Sequence, residues 1–172
     1  MLNINLQFFG GRGSGGGKSG GKSGGSANSG ASKNALGIEK EFSEFQGMKM
    51  FTYADGSKHG TAETGESTKS IYDNTTAIKS FKSDAKDSLK ATVKSKSGDV
   101  EISVKNGTLA HREFSRAEYT NSRSAEVLSD YKVTGSDGKS YAVRTRRSQL
   151  RYNGKVQTDK EYIVSVYRKK GR

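Results

Sequence analysis

The pattern of apolar and polar positions divides the chain into a tail and a domain. Residues 10–33 hold half of the 22 glycines, many serines, and no acidic or aromatic residue. Such a segment buries too little apolar surface to offset the entropy lost when its backbone is ordered. We therefore expect an apolar leader and a flexible linker over residues 1–33 and a single small domain over residues 34–172.

Apolar residues at helical spacing occur in two segments of this domain. The first segment has Leu36, Ile38, Phe42 and Phe45, which predicts a short helix that ends at Gly47. The second segment lies between residues 67 and 93 and predicts the clearest helix of the chain. Its apolar face would consist of Ile71, Ile78, Phe81, Ala85 and Leu89. Four lysines would form a neighbouring stripe: Lys79, Lys82, Lys86 and Lys90. A solvated edge beside the core is the commoner explanation of such a stripe, and a nucleic-acid surface is the alternative.

After residue 98 the pattern changes to extended runs separated by turn residues. Asn106-Gly107 predicts a hairpin that would place His111 opposite Ile102. A three-residue loop over 136–138 would gather four apolar residues on one face: Tyr131, Val133, Tyr141 and Val143. Lys132, Arg144 and Arg146 would then point the other way. A similar loop at Asn153 would gather Leu150, Tyr152 and Val156, and the last apolar run, "EYIVSVYRK", predicts a central strand.

These elements together predict an α+β domain. We expect an antiparallel sheet of about five or six strands with two or so packing helices.

The charge is concentrated at the two ends of the chain. The net charge is +12, of which residues 1–38 contribute +4 and residues 139–172 contribute +9. Basic clusters attract phosphate backbones or acidic protein surfaces. We therefore predict that the C-terminal block binds nucleic acid or a partner protein, with tyrosines available to stack on exposed bases. Its candidate contact residues are Lys132, Arg144, Arg146, Arg147, Arg151, Arg168, Lys169 and Lys170.

The residues that usually carry catalysis are sparse. The chain has no cysteine and only two histidines, His59 and His111, so we expect no metal site and no cofactor. "GGKSGGKS" matches a phosphate-binding loop in letters, but no strand or helix flanks it. A ribonuclease could combine His111 with Glu113, Arg112 or the Arg144–Arg151 group, although nothing in the sequence places these side chains together. We lean towards a non-enzymatic protein.

The leader "NLQFFGGRGSGGG", residues 5–17, resembles the N-termini of proteins encoded in the head-morphogenesis regions of phages and prophages of Gram-positive bacteria. Its first five residues also look like the start of some major capsid proteins. The apolar run is too short and too interrupted for a signal peptide. The resemblance implies a phage or mobile-element origin, with a possible capsid contact through the leader.

The resemblance and the charge together favour a protein that acts by binding. The expected partner is DNA, RNA or an acidic, nucleic-acid-binding groove of a host nuclease, as for an anti-CRISPR inhibitor of a defence enzyme. The expected location is the host bacterial cytoplasm or the virion, with no membrane association. The alternatives are a virion-packaged ribonuclease toxin and a structural minor head protein.

Overall fold

The computed structural model describes residues 36–42, 45 and 47–171. The predicted leader and linker lie outside these residues. Two five-residue helices are described, α1 (Gly37–Glu41) and α2 (Thr68–Tyr72). The strands are β1 (Phe51–Thr52), β2 (Lys58–Gly65), β3 (Thr75–Ala77), β4 (Lys82–Ser83), β5 (Lys90–Val93), β6 (Val100–Ser103), β7 (Thr108–Glu118), β8 (Ser122–Thr134), β9 (Ser140–Tyr152), β10 (Lys155–Thr158) and β11 (Tyr162–Lys169).

Most of the domain is one large antiparallel sheet. Its strands follow the order β1-β2-β7-β8-β9-β11-β3, and β10 pairs with the end of β9. Strands β4, β5 and β6 form a separate three-stranded sheet. The prediction of an α+β domain with two packing helices is therefore wrong, because each of the two segments with helical spacing forms only one five-residue helix, and three short strands occupy part of the second.

The predicted helix over 67–93 is the largest error. Only α2 is helical there, and Asn74 follows it with a φ of 54°, which leaves the helical region. Asp84 then accepts hydrogen bonds from the backbone N–H groups of Lys86 and Asp87, forming a turn where the helix was expected. The flanking residues pair as strands β3, β4 and β5. Several apolar residues of the predicted helix still pack against the core, but they do so from strands and turns.

The predicted hairpin at Asn106-Gly107 is also wrong. Gly107 has a φ of −94°, and residues Val104–Asn106 form a 3-10 turn. Strand β6 pairs with β5, whereas β7 pairs with β2 and β8. His111 is therefore opposite Asp130 and Gly65, and not opposite Ile102.

The two faces of the large sheet differ. We call one the covered face, because α1 and the small sheet pack on it. At one end of this face α1 brings Leu36 and Ile38 onto Phe114. At the other end the small sheet packs through Ala91, Val93, Val100 and Ile102 against Val133, Tyr141, Val143, Ile163 and Val166. The opposite face, which we call the open face, has α2 packed on one end through Ile71, Ala110 and Ala142.

Candidate functional site

The open face carries polar and aromatic side chains along the four strands β2, β7, β8 and β9. Strand alternation places His59, Glu63, His111, Glu113, Asp130, Arg144 and Arg146 on this face. Within the part of the chain that the structure describes, α2 covers only the end that contains Asp130. The remainder of the face is open, so its side chains form the candidate site.

At the end away from α2, four aromatic rings stand in solvent. Phe51, Tyr53, Tyr119 and Tyr152 are 57%, 56%, 42% and 53% exposed. Tyr53, Tyr119 and Tyr152 lie at the turns of three neighbouring hairpins. The backbone N–H of Tyr119 donates to the carbonyl of Ser122, and Ser122 is the register partner of Tyr152. We call this group the aromatic end.

His59 connects two of these rings. Its ring centroid lies 4.8 Å from that of Tyr53 and 5.4 Å from that of Tyr119, and both contacts are edge-on. The imidazole Nε2 is also 3.2 Å from the hydroxyl of Ser57. Asp55 holds this turn by accepting hydrogen bonds from the Ser57 amide and hydroxyl, and these bonds lower the pKa of Asp55. The contacts of His59 and the turn held by Asp55 therefore fix the positions of the Tyr53 and Tyr119 rings.

Cations lie beside the aromatic end. The Lys49 ammonium is 5.4 Å from the centroid of the Phe51 ring. Lys155 is the register partner of Tyr152 on β10. Neither of these two lysines forms an ion pair with another described residue. Their charge is therefore available to a polyanion.

At the covered end, Asp130, Arg144 and Tyr72 form one network of hydrogen bonds and charge pairing. Asp130 is fully buried and accepts hydrogen bonds from Nε and Nη2 of Arg144 at 2.9 and 3.0 Å and from the hydroxyl of Tyr72. Burial, and then the bond to Asp130, raises the pKa of Tyr72. The bond to Asp130 raises the pKa of Arg144. This network fixes α2 to β8 and β9.

The remaining C-terminal cations of the predicted interface are divided among different surfaces. Arg146 is on the open face and forms an ion pair with Glu126 at 2.7 Å. Arg147 is on the covered face, where it donates to Glu41 of α1, and Arg151 shares that face. Lys132 pairs with Glu66 at 2.7 Å, and Lys169 donates to the Asp73 carbonyl. Arg168 and Lys170 are exposed near β3. The eight residues therefore do not form one surface.

The secondary lysine stripe is exposed, although it is not helical. Lys82 and Lys90 lie on the outer face of the small sheet, and Lys86 lies in the turn between β4 and β5. Lys79 follows β3. These four lysines are therefore spread over the small sheet and its turns and do not form one helical stripe.

The three residues predicted for a ribonuclease are only partly brought together. His111 and Glu113 share the open face, where ligand atoms of Glu63, His111 and Glu113 all lie within 4.8 Å of one another. Arg112 is on the covered face, with its guanidinium 4.8 Å from the ring centroid of Phe42. Arg144, from the arginine group that the sequence offered as an alternative to Arg112, lies 3.9 Å from Glu113.

Sequence reasoning missed Glu63, Tyr53 and Tyr119. The position of Glu63 beside Glu113 depends on the pairing of β2 with β7, which no local pattern indicated. Tyr53 and Tyr119 could have been noticed from their places beside the turn residues Asp55-Gly56 and Asn121.

No described helix is long and apolar enough to cross a membrane. Comparison of the chain with protein-family models, with curated proteins and with solved structures gives no significant match.

Proposed function

We propose that this chain is a non-enzymatic accessory protein of a phage or prophage that binds single-stranded nucleic acid at its aromatic end. The observation that carries the proposal is the set of exposed tyrosines at three neighbouring hairpin turns on one face of the sheet. Exposed large apolar groups concentrated at one end of a domain are typical of a binding surface.

Aromatic rings of this kind suit unpaired bases. A base stacked on an aromatic side chain contributes about 1–3 kcal/mol, with little dependence on which base it is. Tyr53, Tyr119 and Tyr152 lie in the outermost row of their hairpins, so a strand crossing from β1 to β10 would pass each in turn. In a duplex the bases are stacked on one another, so they are not available to stack on these tyrosines.

Phosphate contacts complete the proposed interaction. Lys49 and Lys155 lie beside the rings and form no ion pair with another described residue. Such contacts release counterions, so the affinity falls as salt is raised. The resemblance of the leader supports the phage origin, and action in the host cytoplasm follows from it.

The test is fluorescence anisotropy with short labelled DNA and RNA oligonucleotides, single-stranded and double-stranded. We expect the wild type to bind single strands more tightly than duplexes. The triple variant Tyr53→Ala, Tyr119→Ala and Tyr152→Ala should lose at least about 100-fold in affinity, since each of the three rings contributes about 1 kcal/mol or more and every 1.4 kcal/mol is tenfold.

The matched control changes the same three tyrosines to phenylalanine, which keeps the rings and should keep most of the affinity. Equal binding by the alanine and phenylalanine variants would contradict the stacking role. If the wild type binds no oligonucleotide but retains a host nuclease in a nuclease-treated lysate, the inhibitor hypothesis replaces this one.

A further inference from the structure

Three potential metal ligands meet on the open face near its covered end. Glu63 of β2 and Glu113 of β7 are direct register partners, and His111 is two residues before Glu113. The imidazole and both carboxylates place one ligand atom each within 4.8 Å of the others. The three ligand atoms would have to move only slightly closer together to coordinate one ion.

The two carboxylates repel each other as they stand. Like charges directly opposite in an antiparallel pair are destabilising. Neither Glu63 nor Glu113 accepts a hydrogen bond from another residue of the described ranges, and the nearest cation is Arg144, 3.9 Å from Glu113. Arg144 is itself held by Asp130 at 2.9 Å, so it compensates Glu113 only weakly. A divalent cation between the two carboxylates would remove the repulsion.

His111 supplies an independent indication. The residue is only 3% exposed, yet neither ring nitrogen has a hydrogen-bond partner. Buried polar atoms are nearly always satisfied, and leaving one unsatisfied costs about 1–3 kcal/mol. A metal ion is one partner that would use the lone pair of an unprotonated imidazole nitrogen.

The local backbone also departs from regular pairing at this point. The register of β7 against β8 shifts between Leu109 and His111. Across from His111, Gly65 has a φ of +91°, and a Cβ there would lie 2.2 Å from the carbonyl oxygen of Ala110. Irregularities of this kind often lie next to functional sites, where they redirect a side chain.

We propose that Glu63, His111 and Glu113 bind one divalent transition-metal ion of the zinc class. One imidazole and two carboxylates favour such an ion over Mg²⁺ or Ca²⁺, which take oxygen ligands. Three protein ligands leave a position open, and the exposed side chain of Glu63 puts that position towards the solvent. This site is independent of the nucleic-acid proposal, because it uses none of the aromatic residues.

The experiment is isothermal titration of the metal-free full chain with Zn²⁺ at neutral pH. We expect saturable binding of one ion per chain, and no comparable binding of Mg²⁺. Glu63→Gln and Glu113→Gln should each weaken Zn²⁺ binding by at least about 100-fold, which exceeds the loss typical of a residue that only supports a ligand. Co²⁺ in place of Zn²⁺ should give visible absorption bands that the same variants lose.

Folding is checked separately, because removing one of two opposed carboxylates should leave the metal-free variants at least as stable as the wild type. In thermal unfolding, Zn²⁺ should raise the midpoint of the wild type and not those of the variants. His59→Gln and Glu66→Gln are the matched controls and should bind Zn²⁺ normally. The proposal is wrong if the wild type shows no saturable Zn²⁺ binding, if both glutamine variants retain it, if His59→Gln abolishes it, or if Mg²⁺ binds equally well.

Discussion

The two ends of the open face are built from adjoining strands but expose opposite kinds of group. At the covered end, Asp130 is fully buried and its charge is matched by Arg144. At the aromatic end, the rings of Tyr53 and Tyr152 are more than half exposed, and neighbouring lysines have no acidic partner among described residues. The network of Asp130, Arg144 and Tyr72 has satisfied its interactions within the fold, and the aromatic end has left its rings and lysines available.

This difference separates folding from binding. Removal of one member of a buried charged network leaves the others desolvated and unpaired, which costs stability. Removal of an exposed ring costs less, because it leaves no buried charge without its partner. Stability should therefore depend on the covered end, and affinity for a partner should depend on the aromatic end.

The largest expected effect is that of Asp130→Ala. This change leaves the Arg144 guanidinium and the Tyr72 hydroxyl without their buried partner, so we expect a loss of about 3–5 kcal/mol in the free energy of unfolding. Urea denaturation followed by circular dichroism measures it. The alanine variants of Tyr53, Tyr119 and Tyr152 should each lose no more than about 0.5 kcal/mol. If they lose as much as Asp130→Ala, the aromatic end contributes to folding as strongly as Asp130 does, and stability and binding are not divided between the two ends.

The hairpin that carries Tyr152 offers a smaller test of the aromatic end. Asn153 and Gly154 have φ values of 47° and 76°, and nothing lies within 4 Å of a Cβ built on Gly154. Gly154→Ala should therefore lose about 1–2 kcal/mol from backbone strain alone. The measurement is again urea denaturation. Gly37→Ala is the control, since Gly37 is helical without a positive φ, and it should be neutral or stabilising. Equal losses at both glycines would contradict this explanation.

Two hairpins show what the sequence pattern could and could not predict. The three-residue loop at 136–138 is confirmed, with Val133 opposite Tyr141 and Tyr131 opposite Val143, because these residues face a core that allows only one register. The loop at Asn153 has two residues, and Val156 is paired with Arg151. Val156 is 50% exposed, so no core determined which face it occupied.

The segment over 67–93 failed for a different reason. Its apolar spacing was compatible with a helix, but β3 pairs with β11, which lies almost a hundred residues later in the chain. Local periodicity contains no information on such pairing. The same limitation hid the candidate metal site, because Glu63 and Glu113 become neighbours only when β2 pairs with β7. Strand β11, whose apolar run predicted a central strand, lies one strand from the edge of the sheet, where the three-residue β3 pairs only with its last residues.

A smaller effect is expected from the C-terminal arginines that the sequence favoured. The double variant Arg146→Gln, Arg147→Gln removes two cations that already face Glu126 and Glu41. We expect its affinity for a single-stranded oligonucleotide to fall by less than about threefold, with a salt dependence close to that of the wild type. Anisotropy titrations at several salt concentrations measure both quantities. A loss as large as that of the triple tyrosine variant would show that the binding surface lies at these arginines and not at the aromatic end.

The smallest expected effect is a pH response confined to the turn before β2. Hydrogen bonds from the hydroxyl and amide of Ser57 lower the pKa of Asp55 below its ordinary value of 3.8. Because the folded pKa is depressed, these bonds stabilise the turn above the ordinary value and are lost as the pH falls through the folded one. The amide resonance of Ser57, which donates to this carboxylate, should therefore shift as the pH falls. Asp55→Asn should show no such transition, and a transition that persists in this variant would assign the response to another group.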